Sequence, residues 1–203
     1  QNLSGVDHLI TALKSRRVWA MVGYSMRFHP GVREIRTVVE SGVLGRVLGV
    51  RAEVGQYLPD WHPHEDYRSW YMSHEGQGGG ALLDLSHEID YLRWILGEVA
   101  EVSAAVSHVS DLDLDTDDLS ELILRFESGA VGNVHLDLVQ RRYRRHVSIV
   151  GGEGTALWDY SDGAVELRMA DSSLDKRRSY EDSRNDQFVD QLRHYLTCLR
   201  GEA

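Results

Sequence analysis

The spacing of apolar positions predicts a helix and then a strand at the start of the chain. Apolar residues recur three and four positions apart over 4–15, the period of an amphipathic helix. The apolar run at 18–24 is typical of a buried strand that is covered on both faces. Because one helix and one strand cannot make such a sheet, we interpret residues 1–25 as the end of an α/β domain.

The remainder, residues 26–203, predicts a different architecture. Helices are predicted at 30–41, where Pro30 suits the first turn, and at 81–96, after three glycines. A long alternating strand covers 46–57, and six shorter strands and a last helix follow at 99–109, 119–127, 130–140, 144–150, 155–160, 164–169 and 185–199. Successive strands without helices between them indicate an α+β fold: a large, mostly antiparallel sheet with helices packed on one face.

Composition narrows the classes of partner. Lys and Arg number 22 against 32 Asp and Glu, a net charge of −10, which argues against nucleic acid or an anionic membrane as a partner. No apolar run approaches the ~20 residues of a membrane helix. Because the chain has a single cysteine, Cys198, and its first residues lack the pattern of a signal peptide, we expect a cytoplasmic protein without such a peptide. The first residue is Gln1, so we do not expect the chain to begin where its gene begins.

The helix predicted at 81–96 carries the main candidate chemistry. On a helical wheel its core stripe comprises Leu82, Leu85, Ile89, Leu92 and Leu96. His87 points to the opposite side, together with Asp84, Asp90, Tyr91 and Trp94. A carboxylate neighbour can orient an imidazole and adjust its pKa for proton transfer. Spacing alone leaves two interpretations open, a proton-transfer site and a solvated polar face.

Other segments give weaker signals. Tyr67-Arg68 and Trp70-Tyr71, in a loop rich in aromatic residues, are candidates for ligand contact, although a loop packed on its own aromatics fits equally well. Four histidines could in principle surround a metal, but their spacing is poor evidence and we predict no metal site; they are His62, His64, His74 and His87. The aspartate run at 111–118 is interpreted as a solvated loop, and the arginines at 141–145 as a surface or subunit contact.

Several motifs together resemble one known family. The passage Gly23-Tyr24-Ser25-Met26-Arg27-Phe28-His29-Pro30 is similar to the segment that joins the two domains of Gfo/Idh/MocA enzymes, which include glucose–fructose oxidoreductase and inositol dehydrogenase. Tyr67-Arg68 lies at the place of a frequent Trp-Arg pair. The most specific likeness is Gly78-Gly79-Gly80 followed by Asp84, His87 and Asp90, and the resemblance extends over nearly all 203 residues.

This resemblance implies a fold, a reaction and site residues. Such enzymes have a Rossmann domain that binds NAD or NADP, so residues 1–25 would be its C-terminal remnant, and a second domain whose open sheet face often packs against another subunit. The reaction implied is oxidation or reduction of a hydroxyl or keto group of a sugar, cyclitol or nucleotide sugar. His87 would be the acid/base, with Asp84 as its catalytic neighbour. Substrate contacts would come from Tyr67, Arg68, Asp90 and Tyr91, and cofactor contacts from Arg27, Tyr24 and Gly79.

Two departures from the family pattern limit what these residues can do alone. Asp84 lies three residues before His87, whereas the family aspartate often lies four before. The chain has only Lys14 and Lys176, neither within a Glu-Lys-Pro motif, so the hydride-site lysine and the glycine fingerprint are missing. We therefore expect no turnover by these residues alone. The family resemblance, for its part, implies a homodimer or homotetramer formed through the open sheet face. The alternative is a non-enzymatic module that uses this face for sugar binding or self-association.

Overall fold

The computed structural model describes residues 3–181, 183 and 185–202. In this part of the chain the helices are α1 Val6–Arg16, α2 Pro30–Glu40, α3 Ala81–Asp84, α4 His87–Leu96 and α5 Asp186–Leu199. The strands are β1 Val47–Gly55, β2 Val99–Ser107, β3 Leu119–Phe126, β4 Val131–Asp137, β5 Arg144–Gly151, β6 Gly154–Asp159, β7 Ala164–Met169 and β8 Lys176–Ser179. The predicted α+β class is confirmed.

The strands form one sheet in the order β2-β3-β4-β1-β5-β6-β7-β8. β1 and β4 are parallel, with Ala52 opposite Val134, and every other described pair is antiparallel. A parallel pair needs a long connection between its two strands. β1 and β4 have one, because the loop at 56–80, α3, α4 and the β2–β3 hairpin lie between them in the chain. The prediction of a mostly antiparallel sheet is therefore confirmed.

Helices cover one face of this sheet. Along β1 the buried Val50, Ala52 and Val54 alternate with Arg51 and Glu53, which are more exposed. Such a two-residue period places the apolar side chains on the face that α2, α3 and α4 contact. The core therefore lies between the helices and this face, and the polar face is left open. No helix among the described residues is long and apolar enough to cross a membrane.

The apolar segment at 18–24 does not form the predicted strand. Residues 18–23 form neither a helix nor a hydrogen-bonded strand, and Val18, Trp19 and Val22 are 55%, 56% and 72% exposed. A strand is stabilised by hydrogen bonds to a neighbouring strand, and none of the described strands pairs with this segment. The prediction of a strand within this chain was wrong for that reason.

The helix predicted at 81–96 is divided in two. Leu85 has φ −90° and ψ 19°, outside helical geometry, so α3 ends at Asp84 and α4 begins at His87. The break changes the phase of the second helix, whose buried residues are Glu88, Tyr91, Leu92 and Ile95. A wheel drawn as one continuous helix therefore put Tyr91 on the wrong side. The short edge strand β8 was also missed, because its residues are all polar and exposed.

His135 on the open face should make stability depend on pH. Its Nδ1 lies 2.6 Å from Glu121 Oε1, and its Nε2 lies 2.9 Å from Asp137 Oδ2. These contacts, the Asp137 hydrogen bond first, raise the pKa of His135 to about 9. Stabilisation by this group is complete below its unfolded pKa of about 6.5 and is lost as the pH rises through about 9.

We expect His135→Gln to lower the urea midpoint at about pH 6, and the gap from the unchanged chain to shrink by about pH 10. Urea titrations at both pH values measure the gap. An equal gap at the two pH values would contradict a charged His135 in the folded chain.

Candidate active site

The loop between β1 and α3 folds into four short 3₁₀ turns that bring Tyr71 to Asp84. Asp66 caps the second turn by accepting a hydrogen bond from the Arg68 backbone N–H at 3.1 Å. The Tyr71 hydroxyl then donates a hydrogen bond to Asp84 Oδ1. Tyr71, which the sequence offers as a ligand-contact candidate but not as a neighbour of Asp84, thus lies next to the candidate catalytic carboxylate.

Gly79 allows this loop to pack against the start of α3. A Cβ at this position would lie 2.4 Å from the carbonyl oxygens of both Tyr71 and Met72. Gly80 has φ 101°, which favours glycine. The absence of a side chain at Gly79 is explained by packing within the chain. Its role as a cofactor contact stays a prediction.

The aspartate run anchors the start of α3. Asp117 Oδ2 accepts a hydrogen bond from the Leu82 backbone N–H at 2.8 Å, and the Asp117 carbonyl accepts one from the Ala81 N–H at 3.0 Å. Asp118 is fully buried and accepts hydrogen bonds from the backbone N–H groups of Val109 and Ser110. The interpretation of this run as a solvated loop was therefore wrong for Asp117 and Asp118, whose carboxylates satisfy backbone donors, whereas Asp111, Asp113 and Asp115 are exposed as predicted.

His87 is held neutral at the start of α4. The Tyr24 ring meets the His87 ring edge-on, with the ring centroids 5.5 Å apart. His87 Nδ1 is buried and has no hydrogen-bond partner among the described residues. Burial, and then the nearby charge of Arg145, lower the pKa of His87 to about 4, whereas Asp90 opposes this shift. A neutral imidazole can accept a proton, as a general base must.

Asp84, which is partly buried, and Tyr71, which is half exposed, form a polar pair one turn before His87. Burial raises the pKa of Asp84, although the hydrogen bond from Tyr71 and the charge of Arg145 lower it in part. Burial and the bond to Asp84 raise the pKa of Tyr71 to about 12. The phenol therefore keeps its proton and donates a hydrogen bond to the carboxylate.

A buried ion pair between Arg145 and Glu88 joins β5 to α4. Arg145 Nε donates to Glu88 Oε1 at 2.7 Å, and the Glu88 side chain is wholly buried. The Tyr91 hydroxyl also donates to Glu88, at 3.4 Å, and Tyr91 is fully buried. Tyr91 thus belongs to the core and cannot be a substrate contact in this fold. The surface interpretation of the arginine cluster was likewise wrong for Arg145, whose side chain is only 11% exposed.

Arg27 and Asp90 are joined to each other. Arg27 Nε and Nη2 donate to the two Asp90 carboxylate oxygens, both at 2.7 Å. The guanidinium also lies 5.7 Å from the centre of the Trp94 ring. This two-point bond raises the pKa of Arg27 and connects the segment after 18–24 to α4. Tyr24 is held close by, with its hydroxyl 3.4 Å from Ser86 Oγ.

Tyr67 and Arg68 make their contacts away from His87. Arg68 forms a bidentate ion pair with Asp66, and the Tyr67 hydroxyl accepts a hydrogen bond from the Asp113 N–H at 3.0 Å. Among the described residues, no hydrogen bond or ion pair joins Tyr67 or Arg68 to His87 or Asp84. Across the part of the chain that the structure describes, no group of three or more His, Cys, Asp or Glu side chains is placed to bind a metal ion.

The eight-stranded sheet has helices on one face, and His87 lies at the start of α4. These features define the class of this protein as an α+β domain. The chain belongs to the Gfo/Idh/MocA family: residues 32–157 match the model of the GFO/IDH/MocA C-terminal domain. Family membership and fold agree with the resemblance seen in the motifs.

Curated relatives share a modest level of identity. Levoglucosan dehydrogenase of Pseudarthrobacter phenanthrenivorans is 28% identical over 193 residues, which cover 82% of this chain and 49% of that protein. Myo-inositol 2-dehydrogenase of Thermotoga maritima is 30% identical over an alignment of 214 residues, gaps included, which covers 98% of this chain and 60% of that protein. The chain thus spans about half the length of the curated relatives it matches.

Solved structures show the same fold. Levoglucosan dehydrogenase in complex with NADH and levoglucosan has a TM-score of 0.69 at 27% identity, covering 82% of this chain and 48% of that one. GenD2 from gentamicin A biosynthesis, in complex with NAD, has a TM-score of 0.78 at 23% identity and covers 97% of this chain and 58% of that one. At that identity, the second likeness concerns the fold alone.

Proposed function

We propose that this chain is the substrate domain of an NAD(P)-dependent oxidoreductase that oxidises a hydroxyl, or reduces a keto group, of a sugar, cyclitol or nucleotide sugar. The observation that carries the proposal is the neutral His87 beside the Asp84–Tyr71 pair. His87 takes the hydroxyl proton during oxidation and returns it during reduction. Two relatives with dehydrogenase names, one of them solved with NADH and levoglucosan, support the class of substrate.

The residues around His87 have different roles in proton transfer. Asp84 accepts the Tyr71 hydrogen bond, which orients its carboxylate and leaves the second oxygen for a substrate hydroxyl. The Arg27–Asp90 pair fixes the first turns of α4 and so holds the imidazole in place. Tyr67 and Arg68 remain proposed substrate contacts at the outer part of the loop.

The described residues fit the substrate side of a nicotinamide site. NAD or NADP would supply the acceptor or donor of a hydride. The glycines before α3 pack against their own loop and against Asp117, so this chain shows no pyrophosphate cradle there. Tyr24 and Arg27, next to His87 and partly exposed, are the proposed contacts with the cofactor.

We propose that residues 1–25 complete a nucleotide-binding Rossmann domain and that residues 26–203 form the substrate domain. Exposed apolar side chains on α1, on the segment at 18–22 and on α5 support this division; they include Leu9, Trp19, Val22, Phe188 and Leu192. A further domain would cover such a surface. We also propose that the open sheet face pairs subunits into a dimer or tetramer.

The test is an assay of the polypeptide at its full natural length with NAD⁺ or NADP⁺ and a panel of sugars, cyclitols and nucleotide sugars. We expect substrate-dependent growth of the reduced nicotinamide absorbance with at least one of them. If the full-length polypeptide binds neither cofactor, the proposal fails and the non-enzymatic sugar-binding or self-association module takes its place.

A further inference from the structure

An aromatic cavity of about 320 Å³ opens beside the candidate active site. Its lining comprises Trp61, His62, Glu65, Trp70, Tyr71 and Met72. The volume falls within the range of ~300–1,000 Å³ that is typical of small-ligand pockets. None of the residues in the proton-transfer scheme except Tyr71 lines it, so the cavity has no role in the chemistry described so far.

The aromatic walls are held in fixed positions. Trp70 Nε1 donates a hydrogen bond to Glu65 Oε2 at 3.2 Å. The His62 ring stands edge-on to Trp70, with centroids 5.1 Å apart and planes at 88°. Met72 is 3% exposed and forms part of the core. A Trp ring that is fixed on two sides presents a rigid apolar surface at little entropic cost on binding.

The polar groups of the cavity favour a neutral ligand that carries hydroxyl groups. Trp61 Nε1 is buried and has no hydrogen-bond partner among the described residues. An indole N–H is a donor only, so it needs an acceptor such as a hydroxyl oxygen. Glu65 supplies a carboxylate that accepts hydrogen bonds and repels anions such as phosphate. The Glu65 carboxylate beside aromatic faces matches a pyranose ring, which has an apolar C–H face and a hydroxyl edge.

The position of the cavity says which part of a substrate it would hold. Tyr71 lines the cavity and also donates its hydroxyl hydrogen bond to Asp84. A sugar ring in the cavity would therefore lie beside the hydroxyl or keto group that reacts, but would not itself carry that group. We infer that the cavity is a subsite for a second, neutral pyranose ring, so that the substrate is a glycoside or disaccharide. This inference rests on the proposed function.

Binding to the full-length polypeptide without cofactor tests the subsite by itself. The probes are cellobiose, maltose and methyl β-glucopyranoside, with glucose for comparison, observed by saturation-transfer NMR and titration calorimetry. We expect a disaccharide to bind at least tenfold more tightly than glucose, with magnetisation transferred to the protons of one ring face. Binding of none of these sugars, or equal binding of glucose, overturns the inference.

Three variants locate the binding. Trp70→Ala removes the stacking surface and is expected to weaken disaccharide binding at least tenfold. Trp61→Phe keeps an aromatic ring but removes the indole N–H and part of the ring surface, so a loss of a few fold is expected even if the first variant unfolds. Trp19→Phe, at an exposed tryptophan outside the cavity, is the matched control and should bind as the unchanged chain does. Unaltered binding by Trp61→Phe and by folded Trp70→Ala overturns the inference.

The outcomes separate the subsite from the proposed function. Disaccharide binding that depends on Trp70, without turnover by the full-length polypeptide, supports the subsite and rejects the proposed function. Turnover in which Trp70→Ala leaves kcat/KM unchanged for disaccharides supports the function and rejects the subsite. Disaccharide binding should persist in His87→Asn, because His87 does not line the cavity.

Discussion

Replacing His87 by asparagine should lower turnover of the full-length polypeptide by about 10²–10⁴-fold, the usual contribution of a general acid or base. Asparagine approximates the shape of the imidazole but cannot exchange a proton at neutral pH. The substrate proton would then pass to water without a positioned base. Steady-state kinetics with the cofactor saturating measure the effect, which should fall mainly on kcat because the surrounding contacts remain.

A second measurement concerns the pH dependence of this reaction. Burial and Arg145 lower the pKa of His87 to about 4, so the base form persists well below pH 6.5. The acid limb of kcat/KM for oxidation should accordingly lie far below pH 6.5. His108→Asn, at a partly exposed histidine beside Asp118, is the matched control and should keep both the rate and the profile. Turnover by His87→Asn at the unchanged rate would remove His87 from the proton-transfer scheme.

Replacing Arg145 by methionine should destabilise the fold by about 3–5 kcal/mol, the usual effect of removing one partner of a buried ion pair. Glu88 is fully buried and would keep a carboxylate without a counter-charge, with the Tyr91 hydroxyl as its remaining side-chain donor. Methionine fills a similar volume, so the loss reports charge more than packing. Urea unfolding followed by circular dichroism measures the free energy.

The matched control is the double variant Arg145→Met with Glu88→Gln, which removes both charges. It should recover most of the lost stability, because a neutral amide is less costly to bury than an unpaired carboxylate. The pKa of His87 should rise in the double variant, since Arg145 contributes to lowering it. A single variant within about 1 kcal/mol of the unchanged chain would show that the pair is not buried in solution.

The candidate site was only partly predictable from sequence. His87 and Asp84 could be found because the helix pattern and the glycines mark the segment, and the family likeness assigns the histidine. Tyr71 comes from a loop without a repeating pattern, and Arg145 comes from a cluster that is typical of a surface. Their contacts join positions 13 and 57 residues apart, to Asp84 and Glu88. Spacing along the chain carries no information about such contacts.

The sequence by itself determined the α+β class, because alternating apolar positions specify which strand faces are buried and direct strand succession specifies antiparallel pairing. It also determined that α4 carries the histidine. The tertiary structure alone decided the break at Leu85, which turns Tyr91 into the core, and the absence of a strand at 18–24. Both depend on packing and hydrogen-bond partners far away in the chain, and local propensity cannot supply them.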